Sequence, residues 1–197
     1  VIREDGRSTY FASDIAYHHH KKVRGFDLLI NILGSDHHGY VSRLEAGLTS
    51  TGNKASDLEV ILMQFVTLYR GKKKIQMSTR SGNFVPMRDL YSEVGVDAAR
   101  FFYVSRSHGQ HLDFDLELAT KQNNKNPVYY IQYANARIKS VIKENEKRGY
   151  LFDEVTGKSN LAKLKLSIEE DIISLLGKYP ETILKSSNSR EVNKIAN

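Results

Sequence analysis

Hydrophobic and polar positions change rhythm part-way along the chain. Up to about residue 121, helical stripes alternate with short continuous apolar runs. Residues 13–24 read as a helix that stops at Gly25. Asp27-Leu28-Leu29-Ile30-Asn31-Ile32-Leu33 is an apolar run closed by Gly34, with the length of a buried strand in a parallel sheet. Residues 38–51 carry Val41, Leu44, Ala46 and Leu48 as a helical stripe ending at Gly52. Ser56-Asp57-Leu58-Glu59 has capping-box spacing, but the apolar run over 60–69 behind it suits a strand better. Arg70-Gly71-Lys72-Lys73 then predicts a turn, and 74–77 a returning hairpin partner. Two helices are predicted over 87–93 and 97–105, split at Gly95. A strand after a helix after a strand predicts an α/β layer architecture.

Beyond that point the rhythm is helical throughout. Val128, Ile131, Ala134, Ile138, Val141 and Ile142 form one stripe behind Pro127, which stands where a helix tolerates proline, and Gly149 ends it. Residues 160–166 are a short apolar-basic segment. Ser167-Ile168-Glu169-Glu170 predicts a capping box with Ser167 as N-cap, and Ile172, Ile173, Leu175 and Leu176 continue the helix to Gly177 and Pro180. A further helix is expected to begin near Pro180 and to be incomplete. The polar run Lys121-Gln122-Asn123-Asn124-Lys125-Asn126-Pro127 reads as a joint, so two units are expected, 1–121 and 122–197. No internal repeat or low-complexity segment is visible.

Composition narrows this picture. Of 197 residues 40% are hydrophobic and 26% charged, values of a globular chain that exclude wholesale disorder. Residues 1–121 hold 16 basic and 14 acidic side chains, and 122–197 hold 13 and 9, so the excess positive charge concentrates on the helical part. The absence of cysteine excludes a disulfide framework and a thiolate zinc site. No apolar run reaches the roughly 18 residues of a membrane-spanning helix. The first residues lack Met and an apolar leader core, and the last stop inside a polar-apolar pattern, so both ends read as cut.

Five features carry candidate chemistry. Tyr10 and Asp14 share a face if a helix begins near Tyr10, and a partly buried Asp14 would need a partner such as a planar guanidinium. The alternative is an ordinary acid in a helix first turn. Gly34-Ser35-Asp36-His37-His38-Gly39-Tyr40 follows a strand and opens a helix, where α/β folds bind ligands. Asp36 there suits ribose hydroxyls and His37 or His38 an anion; the alternative is a plain βα turn with an Asp cap. His18-His19-His20 with His37 and His38 invite a metal, but adjacent helical residues diverge, so no metal site is expected and the triplet reads as a solvated helix surface. Lys72-Lys73-Lys74-Ile75-Gln76-Met77-Ser78-Thr79-Arg80-Ser81-Gly82-Asn83 is a basic, hydroxyl-rich loop suited to phosphate, without Walker order; lysines blunting an edge strand are the alternative. Tyr129, Tyr130, Tyr133, Arg137, Lys139 and Lys143 suit RNA by phosphate pairing and base stacking, or form a solvated helix with Tyr in its packing stripe.

In this order the pieces resemble the arginyl-tRNA synthetases, a class I aminoacyl-tRNA synthetase family. The matching stretches run from Arg3-Glu4-Asp5-Gly6 through Asp14-Ile15-Ala16-Tyr17-His18, Arg24-Gly25-Phe26-Asp27, Gly34-Ser35-Asp36-His37-His38-Gly39-Tyr40-Val41, Met77-Ser78-Thr79-Arg80-Ser81-Gly82, Gly95-Val96-Asp97-Ala98-Ala99-Arg100 and Asp113-Phe114-Asp115. Asn126-Pro127-Val128-Tyr129-Tyr130-Ile131-Gln132-Tyr133-Ala134-Asn135-Ala136-Arg137-Ile138 resembles the start of the family's anticodon-binding domain. The resemblance implies the C-terminal part of a Rossmann-like nucleotide-binding domain over 1–121, then a partial all-α helical bundle over 122–197. It implies ATP-dependent activation of L-arginine to arginyl-adenylate and transfer to tRNA(Arg), with ATP and Mg2+ as a substrate complex and no structural metal. Tyr10, Asp14 and His37 would take arginine; Gly34, Asp36, His37 and Met77 would take ATP; Met77, Ser78 and Arg80 would serve catalysis. Tyr129, Tyr133 and Arg137 would face tRNA. The intact enzyme is expected to be a cytoplasmic monomer.

The chain departs from the class pattern in two ways. Where class I loops carry Lys-Met-Ser-Lys-Ser, Gln76 and Thr79 replace the lysines and Arg80 follows, so Arg80, Lys74 or a residue before Val1 must supply cationic charge to the leaving pyrophosphate. The family's His-x-Gly-His signature is absent from these 197 residues, so the chain alone is expected to be inactive. Two competing readings stand beside this one: a synthetase-like RNA-binding module without chemistry, and a different nucleotide-handling α/β domain.

Overall fold

The computed structural model describes residues 1–77 and 84–197. It is mixed α/β with small sheets, and it divides into two compact units: Val1–Val66 with His108–Leu112, and Thr67–Ser107 with Asp113–Asn197. The joint expected near residue 121 lies inside the second of these units.

In the first unit, helix α1 (Tyr10–Val23) begins three residues earlier than its stripe predicts, because the Thr9 hydroxyl caps it by accepting from the Ala12 amide at 3.3 Å. It closes at Arg24 and Gly25, the latter at φ +88°, a conformation that favours glycine. Strand β1 (Leu29–Gly34) pairs in parallel with β2 (Leu58–Met63), with Leu29 opposite Leu58 and Gly34 opposite Met63. Between them the chain makes a 3-10 turn over Ser35–Tyr40 and then helix α2 (Val41–Thr49), the crossover that parallel neighbours require. Leu29, Leu44, Leu48 and Leu58 form the core, with Leu33, Tyr40 and Val60 packed on it. Helix α2 meets α1 at Gly47, where a Cβ would stand 2.8 Å from Ile15 Cγ1 and 3.3 Å from a ring carbon of Phe11.

The strand predicted over 60–69 is in fact two strands in different sheets. β2 ends at Met63 and β3 (Val66–Arg70) begins after Phe65, while the Gln64 amide donates to the His108 carbonyl at 2.8 Å. The run contains no Gly or Pro, so only tertiary pairing marks the break. The predicted hairpin forms, but its return strand β4 is only Lys73–Lys74, antiparallel to β3.

In the second unit, β3 lies between β4 and β5 (Leu112–Asp115). Helices α3 (Met87–Val94) and α4 (Val96–Val104) meet at Gly95, at φ +83°, within a residue or so of their predicted limits. Phe114 of β5 is fully buried, stacked on Phe102 at 5.0 Å and edge-on to Tyr103 at 5.6 Å. Helix α5 (Leu116–Thr120) follows, capped by Asp115, whose carboxylate also accepts from the Gly71 amide of the hairpin turn. Helix α6 (Pro127–Lys147) has the predicted span. Its cap, buried Asn126, accepts from the Val128 amide and donates to the Ala119 and Lys121 carbonyls.

Four short helices complete the chain: α7 (Glu154–Ser159), α8 (Ser167–Gly177), α9 (Tyr179–Ser189) and α10 (Asn193–Ala196). The predicted capping box of α8 is shifted by one residue. Leu166, which has no accepting side chain, holds the cap position, and only the Glu169 half forms, its carboxylate accepting from the Leu166 amide at 3.0 Å. The helix expected to be incomplete past Pro180 runs a full Tyr179–Ser189 and closes on Arg190 in the left-handed region.

Candidate active site

The first unit brings Tyr10, Asp14, Asp36 and His37 of the predicted arginine and nucleotide residues around one cavity, whose lining does not include Gly34 or Met77. Helix α1 presents Tyr10 and Asp14 one turn apart, and the 3-10 turn after β1 presents Asp36, His37 and Tyr40. These five, with Arg43 and Arg3, line a cleft of about 710 Å³. Tyr10 stands at its rim, 85% exposed, while Asp14 is half-buried.

Asp14 is not the lone helix acid of the alternative reading. The Tyr40 hydroxyl donates to its Oδ2 at 2.6 Å across 26 positions of sequence. Burial first, and the Asp14 carboxylate second, push the Tyr40 phenol up to about 12, so it remains a donor at neutral pH. The Tyr40 ring is held edge-on by Phe11 at 6.0 Å and by His37 at 6.4 Å. One Asp14 oxygen is thereby fixed, and the carboxylate retains lone pairs for a planar cation.

Gly34 ends β1, and its missing side chain matters here. A Cβ there would collide with Asp36 Oδ1, so Asp36 folds back over the glycine. His37 Nε2 lies 3.8 Å from the other Asp36 oxygen, and both side chains are exposed to the cleft. Ser35 donates to the Gln64 side chain at 3.2 Å, fixing the start of the turn at the β2 end. Asp36 suits hydroxyl donors and His37 an anion.

Tyr40, Arg43 and Arg3 are site residues that the sequence reading missed. Tyr40 ends the Gly34 segment beside the periodic Val41 and Leu44, a pattern that reads as packing and not as a site. The histidine triplet is corrected too: His18 is not solvated but 5% exposed, while His19 and His20 are exposed. A helix pattern cannot reveal this, because the partner of His18 is Asn31 on β1. Among the described residues no group of three His, Cys, Asp or Glu is placed to hold a metal ion.

Of the remaining predicted residues, those that the structure describes belong to the second unit. Met77 is described and 43% exposed. Ser78 and Arg80 lie outside the described residues. Lys74 is exposed on β4. On α6 the half-buried Tyr129 and the exposed Tyr133 stack on each other, ring centres 6.2 Å apart, with exposed Arg137 one turn further on. Tyr129 also lines a second cleft of about 560 Å³ with Glu93, Asp97, Lys121 and Gln132.

No family model matches the chain. Whole-chain relatives do. The sequence is 55% identical over 196 residues to the arginine–tRNA ligase of Hydrogenovibrio crunogenus, covering 100% of this chain and 33% of that one. It is 51% identical over 197 residues to that of Thioalkalivibrio sulfidiphilus, covering 100% of this chain and 34% of the relative. The chain is homologous over its whole length to arginine–tRNA ligases. It spans about a third of the length of these ligases. A solved Campylobacter jejuni chain named for arginyl-tRNA synthetase superposes with a TM-score of 0.82 at 39% identity, over 100% of this chain and 42% of that one. Arginyl-tRNA synthetase from Thermus thermophilus shares the fold, with a TM-score of 0.68 at 18% identity over 99% of this chain and 40% of its own. Among the described residues no helix is long and apolar enough to cross a membrane.

Proposed function

We propose that this chain is a segment of an arginine–tRNA ligase and that its first unit carries the arginine-binding part of the active site. The observation that carries the reading is the Asp14 carboxylate, bonded to Tyr40 at 2.6 Å and facing a cleft shared with Asp36 and His37. A guanidinium placed against Asp14 gains charge-assisted hydrogen bonds from paired N–H groups, and Tyr10 at the rim closes over it.

In the proposed reaction a carboxylate oxygen of arginine attacks the α-phosphorus of ATP. An O–P bond forms, pyrophosphate leaves, and a terminal tRNA hydroxyl then attacks the activated carbonyl, releasing AMP. Mg2+ enters with ATP and neutralises phosphate charge. Asp36 over Gly34 accepts from the ribose hydroxyls. His37 donates to the activated carboxyl, and the Met77 backbone covers adenine. Ser78 and Arg80, with Lys74 as the alternative cation, are assigned to the transition-state phosphates. Residues 1–121 are proposed as the C-terminal part of a Rossmann-like catalytic domain, and 122–197 as the start of a helical anticodon-binding domain. Tyr129, Tyr133 and Arg137 would then face tRNA(Arg), and a cytoplasmic monomer is the proposed whole.

Because the chain spans a third of its relatives, it alone is proposed to lack activity. The test compares the 197-residue chain with the full-length protein that carries it. Charging of tRNA with arginine by the full-length protein, and no ATP–pyrophosphate exchange by the shorter chain, is the expected result. Tight tRNA binding without charging by the full-length protein would favour the non-catalytic RNA-binding module, and charging with another substrate the different nucleotide enzyme.

A further inference from the structure

The imidazole of His18 is buried one turn behind the proposed arginine-binding carboxylate, and the proposed mechanism makes no use of it. His18 is 5% exposed on α1. Its Nδ1 lies 2.7 Å from the main-chain carbonyl oxygen of Asp14. A carbonyl only accepts, so Nδ1 carries the proton and donates. The other ring nitrogen, Nε2, then accepts from the Asn31 side-chain amide at 2.7 Å. Asn31 stands in the middle of β1, opposite Val60 and three residues before Gly34.

Asp14 is therefore mounted at two points. Its carboxylate is held by Tyr40, from the turn that follows β1, and its carbonyl by His18, which is anchored on β1 itself. Both mounts lead to the strand that ends in the Gly34–Asp36–His37 turn. A helix docked by apolar contacts alone slides by fractions of an ångström at small cost, whereas a buried, fully satisfied hydrogen-bonded link fixes its register.

We propose that His18 is a positioning residue that, through Asn31, sets the placement of Asp14 relative to the Asp36–His37 turn, and so determines affinity for the guanidinium substrate. This rests on the reading of Asp14 as the arginine carboxylate. His18 touches no substrate; it acts through Asp14.

The test uses steady-state charging of tRNA by the full-length protein, with His18→Asn, His18→Gln, Asn31→Ala and Asp14→Asn. Asparagine keeps a donor near the Nδ1 position and loses the reach to Asn31; glutamine keeps a polar group near the Nε2 position. His18→Asn and Asn31→Ala are expected to raise KM for arginine about 10-fold, with kcat and KM for ATP changed less than about 2-fold, since a misplaced binding group costs occupancy of its own ligand. The double variant is expected to be no worse than either single one, because both cut the same link. His18→Gln is expected to restore most of the arginine affinity, and it reads the link even where His18→Asn fails to fold.

Wild-type arginine KM in both Asn31→Ala and His18→Asn, beside a raised KM in Asp14→Asn, would overturn the positioning role and leave the pocket intact. Equal losses in kcat and in both KM values would also overturn it, since they mark a general structural role. An unchanged KM in Asp14→Asn would remove the arginine pocket, and the role of His18 with it.

Discussion

The first unit and the helices after residue 126 differ in what they enclose: the first closes a leucine core beneath paired polar groups, although Ile30 and Ile32 of β1 stay 42% and 67% exposed, and the later helices leave whole stripes open. Around Asp14 the chain supplies its own partners: Tyr40 for the carboxylate, Asn31 for His18, and four buried leucines beneath them. Along α6 and α8 the stripes that the periodicity marks for burial stay open. Ile131, Ile138, Val141 and Ile142 are 50–61% exposed, and Ile172 and Leu176 are 51% and 66% exposed. Burying each such side chain fully would contribute about 1.5–3 kcal/mol. These residues are sufficient to assemble a polar site but not to cover their own helical stripes.

The contrast can be broken most strongly by truncating one apolar side chain in the core and one on the open stripe. Leu48→Ala removes a 1%-exposed side chain and is expected to destabilise the first unit by about 3 kcal/mol. Ile142→Ala on the open stripe is expected to cost less than about 1 kcal/mol in the same 197-residue chain. Denaturant melts of the two variants check this, and equal losses would mean that the α6 stripe is covered in solution.

Next in size is Tyr40→Phe. It leaves Asp14 Oδ2 without its donor and is expected to raise KM for arginine about 10-fold in the full-length protein, the effect of one hydrogen bond to a charged group. The same variant tests the pH behaviour. The folded phenol is raised to about 12 from an ordinary 10. Its contribution to stability is therefore complete below pH 10 and is lost as pH rises from 10 towards 12. Stability of Tyr40→Phe is expected to fall less steeply across that window, measured by urea midpoints.

Gly34→Ala sharpens the site from the other side. The added Cβ displaces the Asp36 carboxylate, and a rise in KM for ATP of about 3-fold, with arginine KM unchanged, is expected if Asp36 faces the ribose. Smallest of all is Glu154→Gln, which cuts an exposed pair with Lys158 and is expected to shift stability by less than about 0.5 kcal/mol.

Local signals in the sequence located most of the elements. Gly25, Gly52, Gly95 and Gly149 mark helix ends, and each takes a positive φ in the structure. The run ending at Gly34 pairs in parallel as its composition predicts, but the burial expected of it does not hold, since Leu29 is buried while Ile30 and Ile32 are exposed. Long-range partners were invisible. The division of 60–69 falls where β2 and β3 join different sheets and the Gln64 amide bonds to His108. β5 and α5 are too short for a periodic signal, and no element was predicted there. At the site, Tyr10, Asp14, Asp36 and His37 were readable from motif and placement. Tyr40 and His18 were not, because their meaning lies in partners 26 and 13 residues away.

The central claim is that Asp14 receives the substrate guanidinium. Its most direct measurement is the KM for arginine in tRNA charging by full-length Asp14→Asn, with KM for ATP measured alongside. Loss of a charge-assisted pair in a half-buried site predicts an arginine KM raised about 100-fold and an ATP KM within about 2-fold of wild type. An arginine KM equal to that of the wild type would contradict the account.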